Sequence, residues 1–242
     1  MMRGLLVALG FLTRVPVPPA VFDDTRASGQ SLAWYSTVGA MVGALLWLLA
    51  QLLHAWPPLL SSAVILIGWI GITGALHLDG LADSADAWIG GIGSRERTLD
   101  IMKDPRCGPA GVVALIALLL LKFAALASAP ANGGLALLLA PVLGRAVLTL
   151  AFVTTPYARS QGLGSALRDA PRGACWLGIA VAGILSLACG WRGLAALAVV
   201  AIVFVLWRRA CMRRLGGFTG DTCGALAEIT EAVVLVAMLV AT

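Results

Sequence analysis

About seven stretches of this sequence are apolar and long enough to cross a lipid bilayer, and no other feature restricts its fold so tightly. They fall near residues 34–53, 59–78, 108–129, 135–154, 174–190, 194–207 and 223–240, the sixth at the lower limit for a span. In hydrocarbon a backbone finds no water to bond, so such stretches fold as helices. Composition agrees. Of 242 residues, 60% are hydrophobic and 12% charged, and the mean hydropathy is +0.94, more apolar surface than a soluble domain of this size can hide. The expected fold is an all-α polytopic membrane bundle, a single domain over residues 1–242. Residues 1–33 read as an interfacial N-terminal arm, because the apolar opening lacks a small-residue cleavage site before Pro16, Pro18 and Pro19. Residues 79–107 read as an acidic loop or helix outside the lipid. Tight breaks are expected at Pro57-Pro58, from Pro130 to Gly134, and from Gly190 to Gly193. The five cysteines are scattered, with no C-x-x-C pair, which suits neither a zinc site nor a disulfide framework.

Charge supplies an orientation. Of the 17 basic residues, all but Lys122, Arg145 and Arg192 lie in four segments: the N-terminal arm and the loops after the second, fourth and sixth stretches. By the positive-inside rule those segments are cytoplasmic, so the N-terminus is inside. The twelve acids lie in the same segments or in the first turns of the last stretch. Acids do not ordinarily follow that rule, so their collection on one side points to a site there.

The densest acids are Asp79, Asp83 and Asp86, in His77-Leu78-Asp79-Gly80-Leu81-Ala82-Asp83-Ser84-Ala85-Asp86. On a helix the spacing i, i+4, i+7 puts all three within roughly 60° of arc. Like charges that close repel, and a divalent cation is the usual remedy. Mg²⁺ takes hard oxygen ligands and bridges one or two carboxylates to phosphates, so a phosphate-bearing substrate is implied. His77 lies two residues before the first acid, on nearly the opposite face, and reads as a hydrogen-bonded core histidine.

Other candidates surround this face. Asp100 and Asp104 are i, i+4 before Pro105, with Asp104 open to a second metal position or a base's role and Lys103 placed to neutralise phosphate. Gly216 to Thr222 is a glycine-rich turn in which Gly217 and Gly220 could let backbone N–H groups converge on an anion, while Asp221 or Thr222 could equally be a helix cap. Glu228 and Glu231 lie i, i+3 within the last stretch, where an ionised carboxylate costs on the order of 2.5–3.5 kcal/mol, so they imply a site or a partner such as Arg145. Arg145 and Arg159 are candidates for clamping phosphate or for pairing with acids. Lys122 is mid-stretch and is assigned only snorkelling.

The acidic block, with Ile101-Met102-Lys103-Asp104, Gly108 to Gly111, Pro156-Tyr157-Ala158-Arg159, Gly217-Phe218-Thr219-Gly220-Asp221 and the Glu228/Glu231 pair, resembles the cobalamin synthase (adenosylcobinamide-GDP ribazoletransferase) family over nearly the whole chain. Ala87 departs from the glycine more usual after the third aspartate. The resemblance implies an inner-membrane phosphotransferase whose active site faces the cytoplasm. It would join adenosylcobinamide-GDP to α-ribazole (or its 5′-phosphate), giving adenosylcobalamin (or its 5′-phosphate) and GMP, with Mg²⁺. Asp79, Asp83, Asp86, Asp104 and Asp221 are then the candidate metal ligands, with Asp83, Asp86 and Asp104 as catalytic carboxylates. Lys103, Arg145, Arg159, Gly217 and Gly220 would bind phosphate, supported by His77, Glu228 and Glu231. Lipid is the other expected partner; nucleic acid is not, and a homo-oligomer stays open. Two rivals remain at this point. A membrane CDP-alcohol phosphotransferase needs an arginine after its acids that is missing here, and a cation transporter needs acids through the membrane depth.

Overall fold

The computed structural model describes residues 2–129, 134–159, 167 and 170–240. The expected break at Pro130 to Gly133, and Arg168 with its orientation charge, lie outside them.

Among the described residues eleven α-helices follow one another: α1 (Met2–Leu12), α2 (Thr25–Ser31), α3 (Tyr35–Leu52), α4 (Pro58–Thr73), α5 (Leu76–Gly90), α6 (Arg95–Ile101), α7 (Pro109–Ser128), α8 (Gly134–Thr154), α9 (Arg172–Ala188), α10 (Gly190–Leu215) and α11 (Gly220–Val240). The described residues contain no strand, only one isolated bridge between Tyr157 and Phe218. Among the described residues five helical segments are long and apolar enough to cross a membrane, six if α4 and α5 count as one broken span. The apolar α9, at 17 residues, falls just short of that length. The chain is the expected all-α membrane bundle.

The bundle is built around α8 and α11, the two most deeply buried long helices. Without a hydrophobic drive between helices in lipid, close approach depends on small residues. Gly39 and Gly43 form a G-x-x-x-G stripe on α3, and a Cβ on either would stand 2.4 and 2.7 Å from the Pro141 and Leu138 carbonyl oxygens of α8. The charged side chains within this core pair with one another. Lys122 of α7 donates to Glu228 (2.6 Å) and Glu231 (2.5 Å) of α11 and lies over the Trp69 ring of α4, while Arg145 of α8 donates to Glu231. All four ionised side chains are buried.

Two expectations change. The apolar stretch 59–78 is not one helix: α4 stops at Thr73 and α5 leaves at 89°. Gly74 (φ +64°) and Ala75 (φ +58°) both take left-handed backbone, which a helix cannot propagate. The Arg14 side chain lies across Gly74, and the Arg14 N–H bonds the Ile72 carbonyl, so the N-terminal arm packs on the corner. The second change is at 190–193. The break is confined to Cys189 and Gly190, and α10 then runs through the arginine-rich segment as far as Leu215, so the marginal sixth stretch is part of a 26-residue helix.

Candidate active site

Because α5 turns at right angles to α4, it lies across the ends of α7 and α11 instead of joining the spans. Gly80 permits that crossing, since a Cβ there would meet the Asp221 backbone at 2.7 Å. The helix keeps Asp79, Asp83 and Asp86 on one face, with Asp79 exposed and the other two half-buried.

Their surroundings divide them. Asp86 is an acceptor at the start of α7: the Gly108 N–H bonds Oδ2 at 2.7 Å and the Gly111 N–H bonds Oδ1 at 2.9 Å. A Cβ on either glycine would stand 2.5 Å from the carboxylate. The helix dipole and two backbone donors therefore fix Asp86 as a cap supplied by a neighbouring helix. Asp83 has no such donor. Burial, then the neighbouring Asp79, Asp221 and Asp86 carboxylates, push its pKa up to about 7, against the pull of Arg159. It is the acid on this face poised to exchange a proton near neutrality.

Asp221, in the first turn of α11, accepts from Arg159 Nη2 at 2.8 Å. Neither Asp221 nor Thr222 is the helix cap. Thr219 is: its Oγ1 accepts the Thr222 N–H (3.1 Å) while its own N–H donates to Thr222 Oγ1 (2.8 Å), a reciprocal box readable as T-x-x-T. Gly217 is buried against Pro156, whose carbonyl oxygen would lie 2.2 Å from a Cβ, and the chain pairs there through Phe218 N–H to Pro156 O (2.9 Å) and Ala158 N–H to Phe218 O (2.7 Å). Its glycine serves a close backbone crossing and no anion cradle. Gly220, by contrast, is exposed beside Asp221.

Several sequence candidates lie apart from this group. Arg106 grips Asp104 with two guanidinium nitrogens (2.9 and 2.7 Å) and its backbone N–H, which holds that carboxyl down at about 2 and occupies both oxygens. Asp104 is thus a poor base. Lys103 is exposed, 3.9 Å from Asp100. Arg145, Glu228 and Glu231 belong to the buried ion network, so Arg145 is sealed from phosphate, and Lys122, given no role by its sequence position, completes that network. His77 is buried as expected, but its Nδ1 has no hydrogen-bond partner. Sequence reasoning also misses the arginines that hold the surface together: Arg95 donates to Leu215 O and Ala158 O, and Arg214 to Thr98 Oγ1.

A cavity of about 210 Å³ opens here. Asp79, Arg159, Gly220 and Asp221 line it together with His77 and the aromatic residues Phe11, Tyr35, Phe152 and Tyr157. Among the described residues no three His, Cys, Asp or Glu side chains stand close enough to share one ion, so the five carboxylates do not form one preformed cage. The donors nonetheless suit Mg²⁺: they are hard oxygens, and an ion that carries phosphate needs only one or two of them from protein.

The chain matches the cobalamin-5-phosphate synthase family over residues 4–239. It belongs to that family. It is 52% identical to the adenosylcobinamide-GDP ribazoletransferase of Stutzerimonas stutzeri, over 98% of each chain, and 50% identical to that of Pseudomonas aeruginosa, again over 98% of each. The enzyme of the same name from Ectopseudomonas mendocina is 53% identical over 96% of each chain. No solved structure matches it. Cobalamin-5-phosphate synthase membership removes the CDP-alcohol phosphotransferase and cation-transporter alternatives.

Proposed function

We propose that this chain transfers adenosylcobinamide phosphate from adenosylcobinamide-GDP to α-ribazole or its 5′-phosphate, and that the reaction takes place where α5 meets the start of α11. The observation that supports the site is the carboxylate cluster around Asp83: Asp79 lines the cavity with the Arg159–Asp221 pair, and Asp83 lies within the field of all three. A ribose hydroxyl attacks the phosphorus on the cobinamide side of the pyrophosphate. A new P–O bond forms, the bridging P–O bond breaks, and GMP leaves with the electron pair. Asp83 takes the hydroxyl proton. Arg159 donates to phosphate oxygen, with Asp221 orienting its guanidinium. Asp86 holds α5 against α7 so that Asp83 keeps its place.

Mg²⁺ is the cofactor this site suits, with Asp79 and Asp221 as its protein ligands beside Asp83; when bound it neutralises pyrophosphate oxygens and aligns the attacking and leaving groups. We place this face in the cytoplasm and the bundle in the inner membrane, and the arginine-rich segments support that orientation.

Purified protein in lipid nanodiscs tests the reading. It should release one GMP for each corrinoid product, require both substrates, and lose activity to a chelator until Mg²⁺ is restored. GMP release without ribazole, or none with both substrates and Mg²⁺ present, would contradict it.

A further inference from the structure

The transfer chemistry uses the rim of the 210 Å³ cavity and leaves its interior unexplained. That interior has a distinct make-up. Two stacked pairs line it: Phe11 with Tyr35 (6.3 Å between centroids, 21° apart) and Phe152 with Tyr157 (6.0 Å, 25°). Leu148 adds apolar wall. His77, 5% exposed, lines it too and keeps the unpartnered Nδ1. A buried imidazole nitrogen without a partner is destabilising, and a ligand atom in the cavity would supply the missing hydrogen bond.

We propose that this cavity receives the aromatic base of α-ribazole, with His77 bonding its free ring nitrogen and the ribose emerging between Asp79, Arg159 and Asp221. The inference rests on the function proposed above. Size excludes the other large group: sites that enclose a whole drug-sized ligand run to roughly 300–1,000 Å³, so a corrin macrocycle does not fit. Polarity argues against guanine, whose edge carries several donors and acceptors, because away from the rim the lining offers few polar partners beyond His77 and the tyrosine hydroxyls. A dimethylbenzimidazole presents flat faces for the aromatic pairs, methyl groups for the apolar wall, and one free ring nitrogen for His77 Nδ1, leaving Arg159 Nε, the other unpartnered nitrogen of the lining, for the ribose and phosphate. Seating the base inside puts the ribose hydroxyl at the carboxylates, which is the geometry the transfer requires.

The test measures KM for each substrate, with wild-type enzyme and with Leu148→Trp, Phe152→Ala and His77→Ala, in nanodiscs. Ribazole KM should rise roughly tenfold or more in all three while adenosylcobinamide-GDP KM stays within about twofold. An analogue riboside with carbon in place of the free ring nitrogen should bind wild type more weakly than ribazole does, and that difference should vanish in His77→Ala. A rise confined to adenosylcobinamide-GDP KM would give the cavity to guanine or the corrinoid and overturn the proposal. Unchanged ribazole KM in the folded Phe152→Ala and His77→Ala enzymes would overturn it as well. A wild-type enzyme that turns over neither substrate defeats the function itself, a separate result.

Discussion

At the scale of single residues, the acidic face carries three aspartates with different duties. The i, i+4, i+7 pattern is legible in sequence because helix periodicity alone puts the three on one side. Their division is not, because it depends on what α7 and α11 bring from far along the chain. Asp86 meets the Gly108 and Gly111 N–H groups, Asp104 meets Arg106, and Asp83 meets mostly other acids, with Arg159 as the opposing charge. The consequence for stability has a definite sign. Asp83 has its pKa raised from 3.8 to about 7 in the folded state, so folding favours its protonated form. Its contribution is fully present below pH 4 and is lost as pH rises through 7. Metal-free wild-type protein should therefore lose thermal stability over that interval, and Asp83→Asn should flatten the loss. Asp86→Ala should instead lower stability by about 0.5–2 kcal/mol across the range, as expected for loss of a helix cap. Melting curves in detergent with a chelator distinguish the two; a steeper pH dependence in Asp83→Asn would contradict the assignment.

Among the elements, the corner between α4 and α5 decides what the site is. Hydropathy reads residues 59–78 as continuous, and nothing in that apolar run marks Ala75 for left-handed backbone, a conformation usually left to glycine. Tertiary packing imposes it, with Arg14 laid across Gly74. The helices that frame the corner are locked from within by the network of Lys122, Glu228, Glu231 and Arg145. Glu228 and Glu231 are visible in sequence as acids needing a partner, whereas Lys122 is invisible as that partner because three-dimensional contact alone pairs it. Removing one member strands a buried charge, so Glu231→Gln should destabilise the protein by about 3–5 kcal/mol. Replacing Lys122 and Glu228 together by apolar residues of similar size should cost much less. Chemical unfolding in detergent checks both, and an indifferent Glu231→Gln would show that the network does not hold α7, α8 and α11 together.

For the whole molecule, every apolar stretch but 59–78, which is broken between α4 and α5, corresponds to a single helix, since apolar length is what a bilayer demands; their ends are less readable, because arginines extend α10 well past its apolar part. The aromatic cavity is hidden from sequence altogether, being assembled from α1, α3, α5, α8 and α11. The arginine-rich segments support the proposed orientation. In a cysteine-free background, Lys103→Cys should be shielded from an impermeant thiol reagent in intact cells while Trp191→Cys is labelled; the reverse pattern would turn the site outward. The central claim is that Asp83 accepts the proton when GMP is displaced, and turnover by purified Asp83→Asn in nanodiscs tests it most directly. The variant should insert and fold as wild type does while GMP release falls roughly 10²–10⁴-fold, and turnover near wild type would contradict the claim.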